Sequence, residues 1–92
     1  MSKAKGTLIT SDGSLKEITF KGNLVSLKEM QDCVEGYIEM VWLKDGKILI
    51  VNEEGKINGL PVNDQASIIV NDQGIYDTIV GNALLIESKF VD

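Results

Sequence analysis

The side chains able to do chemistry in this chain are carboxylates, asparagines, lysines and a few aromatics. Fourteen Asp and Glu stand against nine basic residues, all of them lysine, for a formal charge of −5; histidine and arginine are absent from the 92 residues. Histidine is the side chain whose ordinary pKa suits proton transfer near neutrality. Its absence excludes Ser-His-Asp and Cys-His nucleophile arrangements. One cysteine, Cys33, and no histidine cannot supply the four ligands of a structural zinc site. The lysines are scattered among carboxylates rather than gathered into a basic stripe, which excludes duplex nucleic acid as the main partner.

Carboxylates remain. Glu53-Glu54 and Asp45, on neighbouring predicted turns, offer hard oxygens to Mg²⁺ or Ca²⁺, but the spacing matches no EF-hand and solvated loop charges are the favoured reading. Gly55-Lys56 resembles the end of a phosphate loop only superficially. Two glutamates precede it and no Ser or Thr follows it, so a phosphate would be repelled. The residue supply therefore points to recognition rather than catalysis: no enzyme activity, no cofactor and no metal are expected.

The richest stretch for recognition is 52–63. Asn52, Glu53, Glu54, Lys56, Asn58 and Asn63 carry groups that read base edges or ribose hydroxyls, and Gly59 allows close backbone approach. Tyr37 and Tyr76 add stacking surface, as does Trp42 if exposed. Tyr37, Tyr76 and those seven residues are the candidate ligand-binding set. Asn and Gly are also ordinary turn residues, which is the competing reading of the same loop.

Elements must position these groups. Twenty-eight Ile, Val and Leu against three Ala favour strands over a helix bundle. Thr7–Thr10 and Leu15–Phe20 read as a hairpin around Ser11-Asp12-Gly13-Ser14. Ser26 and Glu29 form a capping box, Val25 and Met30 a hydrophobic staple, and Gly36 stands where a glycine stops a helix, which predicts a helix over 27–35. Cys33 on its apolar side reads as a small core residue. Tyr37–Leu43 and Ile48–Val51 are strands joined by a turn at Asp45-Gly46, the second apolar on both faces and hence central. Asn63 caps a short helix over 64–70, with a strand at Ser67–Val70 as the rival reading. Ile75–Val80 and Asn82–Glu87 are the final strands, with Gly81 as a bend. The expected fold is a single small α+β domain over 1–92, mainly antiparallel sheet. No apolar run reaches bilayer length and no secretory h-region follows the first lysines, so cytoplasmic residence without membrane association is expected.

Several pieces taken together resemble a group of small proteins of unknown function from phages, prophages and conjugative elements. They are Gly36-Tyr37-Ile38-Glu39, Asp45-Gly46, Val51-Asn52-Glu53-Glu54-Gly55-Lys56, Gly59-Leu60-Pro61-x-Asn63 and Ile75-Tyr76-Asp77-x-Ile79-Val80-Gly81-x-Ala83-Leu84-Leu85-Ile86. The resemblance covers about residues 7–87 and carries over no active site. It implies an accessory viral or mobile-element protein acting against host defences in the host cytoplasm. Residues and resemblance together lead to an antagonist that sequesters a nucleotide-type immune signal. The alternatives are an acidic inhibitor that binds a host protein and, third, a small carboxylate- and metal-dependent hydrolase. A homo-oligomer is expected, because small β-rich domains gain core by association.

Overall fold

The computed structural model describes residues 3–92. Strands β1 (Lys5–Ile9), β2 (Leu15–Thr19), β3 (Ile38–Trp42), β4 (Lys47–Asn52) and β5 (Ala83–Glu87) form one antiparallel sheet in the order β2-β1-β5-β4-β3. Helix α1 (Leu27–Val34) covers one face and helix α2 (Asp64–Asp72) the other. Alternation along β4 shows why both faces are closed. Ile48 and Ile50 join Met30 and Val34 of α1 in one core, while Leu49 and Val51 join Ala66 and Val70 of α2 in the other. The α+β class and the interior position of β4 are as the apolar pattern requires.

Local signals account for both helices. Ser26 accepts from the Glu29 amide and Glu29 reaches back to the Ser26 amide, closing the capping box that starts α1. Those hydrogen bonds hold the Glu29 carboxyl below its ordinary range. Asn63 accepts from the Ala66 amide and starts α2, which runs to Asp72, so the rival strand at Ser67–Val70 does not form. Cys33 packs half-buried against the α1 core, and burial, with Asp32 and Glu29 nearby, pushes its thiol up, away from nucleophile chemistry.

Two expectations need correction. The left-handed residue that stops α1 is Glu35, at φ 62°, rather than Gly36. And Ile75–Val80 is no strand; Val80 alone makes an isolated bridge, to Val62. Polar side chains of α2 take the backbone groups a sheet neighbour would have used. Ser67 Oγ accepts from the Ile79 amide, and Asn71 donates to the Asp77 carbonyl. At Gly81 (φ 76°) the chain then turns back into the sheet with Leu60 packed where a side chain would stand, since an added Cβ would lie 2.8 Å from Leu60 Cδ1.

Candidate functional site

Asn52 organises the site. It is the last residue of β4 and is buried, and its amide group donates to the carbonyl of Val34, the last residue of α1, at 3.1 Å. Its oxygen accepts from the Glu54 amide at 2.8 Å, turning the chain out of the sheet. One side chain thus ties the C-terminal end of α1 to the loop after β4. Gly36 completes this latch, because a Cβ there would lie 2.7 Å from Asn52 Nδ2. The glycine after α1 therefore serves close approach.

Around this latch opens a cleft of about 560 Å³, lined by Gln31, Asp32 and Glu35 from the end of α1, by Tyr37, and by Glu54 and Asn58 from the following loop. Among the described residues three carboxylates line it, and no lysine does. Lys28, one turn back on α1, reaches Asp32 at 3.4 Å, but both side chains stand in water and the pair contributes little. Tyr37 is 65% exposed and lines the cleft, where its ring is open to contact.

The placement of these acids runs against stability. The C-terminal end of a helix carries partial negative charge, so carboxylates there are destabilising where lysine would help. The last turn of α1 holds no basic residue, and Asp32 and Glu35 cluster at that end. Glu35 also occupies a left-handed conformation that disfavours any side chain by about 1–2 kcal/mol. Strain of that kind concentrates at sites that bind.

A smaller recess of about 110 Å³ lies behind the same loop, lined by residues that include Glu39, Glu53, Lys56, Ile57 and Asp77. Lys56 donates to Asp77 at 2.7 Å, which holds the Asp77 carboxyl below the usual range and joins the loop to the 75–80 segment.

Of the candidate residues, Tyr37, Asn52, Glu54 and Asn58 come together in the cleft. Glu53 and Lys56 line the neighbouring recess. Gly59 is an exposed turn residue with open space around it, and Tyr76 projects into solvent at 89% exposure. Asn63 is fully buried; its amide donates to the Ile9 and Gly81 carbonyls while its oxygen caps α2, so the side chain is unavailable to a ligand. Asp45 and the Glu53-Glu54 pair lie beyond opposite ends of β4, about 20 Å apart at strand rise, so the imagined cation site does not assemble. Among the described residues no group of three Asp, Glu or Cys side chains is placed to hold a metal ion. Gln31, Asp32, Glu35 and Gly36 were not in the candidate set. The signal that marks Asp32 and Glu35 is the presence of two acids and no basic residue at the C-terminal end of α1.

Residues 4–90 match a family described as Domain of unknown function (DUF3846). No curated protein and no solved structure matches the chain. No helix among the described residues is long and apolar enough to cross a membrane.

Proposed function

Since the chain belongs to the DUF3846 family, whose description names no activity, we propose from the site itself that it works by non-covalent binding of a cationic partner. The cleft of Asp32, Glu35, Glu54 and Tyr37 takes a lysine- or arginine-bearing segment of a host protein. The observation that carries this reading is the grouping of acids around Tyr37 at the helix end where stability favours cations. Carboxylates accept bidentate hydrogen bonds from a guanidinium, and the tyrosine ring offers it a face. Asn58 and Gln31 supply the neutral hydrogen-bonding rim. The resemblance to phage, prophage and conjugative-element proteins supports placing this binding in host-defence antagonism, in the host cytoplasm. No catalytic step is proposed.

Sequestration of a nucleotide-type signal is the second reading, favoured by Asn58, Tyr37 and the neighbouring Lys56. Its phosphates would face three carboxylates, and Lys56 is already paired with Asp77.

Titration calorimetry with a short oligo-arginine peptide tests the first reading. We expect binding at low salt that weakens as salt rises and is lost in the Glu35→Gln/Glu54→Gln variant. Absence of heat at low salt, or full binding by that variant, overturns it. A parallel titration with cyclic dinucleotides and ADP-ribose separates the two readings.

A further inference from the structure

The two edges of the sheet differ in how they are guarded. On β2, Lys16 and Glu17 interrupt the edge with charge of both signs. On β3 the residues are Ile38, Glu39, Met40, Val41 and Trp42, without a lysine. Among the described residues, no strand pairs with the outer side of β3. The Leu43 amide donates to the Lys47 carbonyl, and the Glu53 amide to the Tyr37 carbonyl, so the odd-numbered residues of this stretch point their backbone groups at β4. Ile38, Met40 and Trp42 therefore turn their N–H and C=O groups outward, without a strand partner among the described residues. Beyond them the Lys44 amide is taken by the Gln73 side chain, which bounds the open stretch at its far end. Beside this edge lies a groove of about 490 Å³ whose lining includes Leu24, Leu27, Met30, Ile38 and Met40. Trp42, on the same side of the strand by alternation, is 64% exposed.

We propose that the occupant of this edge is a second copy of the chain, its β3 paired antiparallel with the first about a two-fold axis at Met40. That register joins the two sheets through about six backbone hydrogen bonds, from Met40 to Met40 and from Ile38 to Trp42 in both directions. Trp42 of each copy then lies opposite Ile38 of the other, at the groove that Leu24 and Leu27 leave open. Glu39 faces Val41, and its exposed carboxylate stays in water. Charge favours the same orientation. Asp32 and Glu35 precede β3, while Lys44, Asp45 and Lys47, net positive by one, follow it, so an antiparallel pair brings the net positive end of each copy beside the acidic end of the other. A parallel pair would set like against like. The absence of lysine from β3 fits a strand selected to be covered rather than protected.

The chain has a single tryptophan, Trp42, so its emission reports this edge directly. Light scattering and tryptophan emission are read together over a roughly hundred-fold dilution series. We expect a particle of twice the 10.1 kDa chain mass at high concentration, with emission shifting to the red on dilution. Trp42→Lys, at an exposed position, should keep the far-UV spectrum and raise the dimer dissociation constant at least about tenfold. Leu15→Lys, on the β2 edge, should leave the dimer intact. A monomer at every concentration, a dimer that survives Trp42→Lys, or one abolished by Leu15→Lys overturns the proposal.

Discussion

Replacing Asn63 by alanine separates a binding role for this residue from a structural one. The side chain is fully buried and makes three hydrogen bonds, to the Ile9 carbonyl at 2.9 Å, the Gly81 carbonyl at 2.8 Å and from the Ala66 amide at 3.1 Å. It ties β1, the entry to β5 and the start of α2 together at one point. Truncation removes the α2 cap and leaves buried polar groups without these partners. At about 1–3 kcal/mol for each group left unpaired, and with carbonyls able to keep other partners, the loss is about 2–5 kcal/mol. That is a large share of the roughly 5–15 kcal/mol that holds a small domain together. With a mid-range urea m-value of about 1.5–2 kcal/mol/M, the midpoint should fall by about 1–3 M. Far-UV circular dichroism is the appropriate probe, because the only tryptophan is mostly exposed. Asn63→Asp sharpens the test. It keeps the acceptor for Ala66 but turns a carboxylate toward two carbonyls, so its folded pKa is raised above the unfolded value of about 3.9. Its stability relative to the parent should be greatest below about pH 4 and fall as pH rises through the folded pKa. An Asn63→Ala protein within about 0.5 kcal/mol of the parent would refute the reasoning.

Glu35→Gly should relieve the left-handed strain and remove an acid from the end of α1, raising the melting temperature by several degrees, about 4–8 °C per kcal/mol gained, while weakening capture of the oligo-arginine peptide; calorimetry on the same samples reads both, and a variant that is stabilised yet binds unchanged removes Glu35 from the site. Gly36→Ala forces a Cβ against the Asn52 amide and should lower stability by about 1–3 kcal/mol in urea unfolding; an unchanged midpoint would show that the latch gives way freely. The Glu29 carboxyl has a depressed folded pKa, so its contribution is present above the ordinary value of 4.5 and is lost as pH falls through the folded value. Thermal melts of Glu29→Ala should therefore show reduced stability at neutral pH and a shallower decline on acidification, and identical acid limbs would count against the capping box as their source.

What the chain discloses locally it disclosed well. Ser26 with Glu29 and Asn63 before Asp64 are caps whose hydrogen bonds close within three residues, so sequence spacing alone specifies them. The short, β-branched apolar run Ile48–Val51 marks a strand buried on both faces, because a strand points consecutive side chains to opposite faces and both must be covered to hide them. Ile75–Val80, with three aliphatics in six residues, also reads as a strand and yet lies outside the sheet. Ser67 and Asn71 compete for its backbone, and their reach depends on where α2 sits.

The candidate site divides in the same way. Residue types alone directed attention to Asn52, Glu54, Asn58 and Tyr37, since amides, carboxylates and aromatics are the groups this composition leaves for recognition. Asn63 looks identical to Asn52 in sequence, and both are buried with internal hydrogen bonds; only the fold puts Asn52 at the base of a cleft and closes Asn63 in between β1, α2 and the entry to β5. The meeting of Asp32 and Glu35 with Glu54, and the separation of Asp45 from Glu53, follow from the direction in which β4 carries the chain. The sequence by itself determined the secondary structure that local hydrogen bonds and periodicity enforce, together with the absence of histidine and arginine chemistry. The tertiary structure decided which of the remaining polar groups share a surface, because that depends on contacts between different elements far apart in the chain, such as Val34 with Asn52.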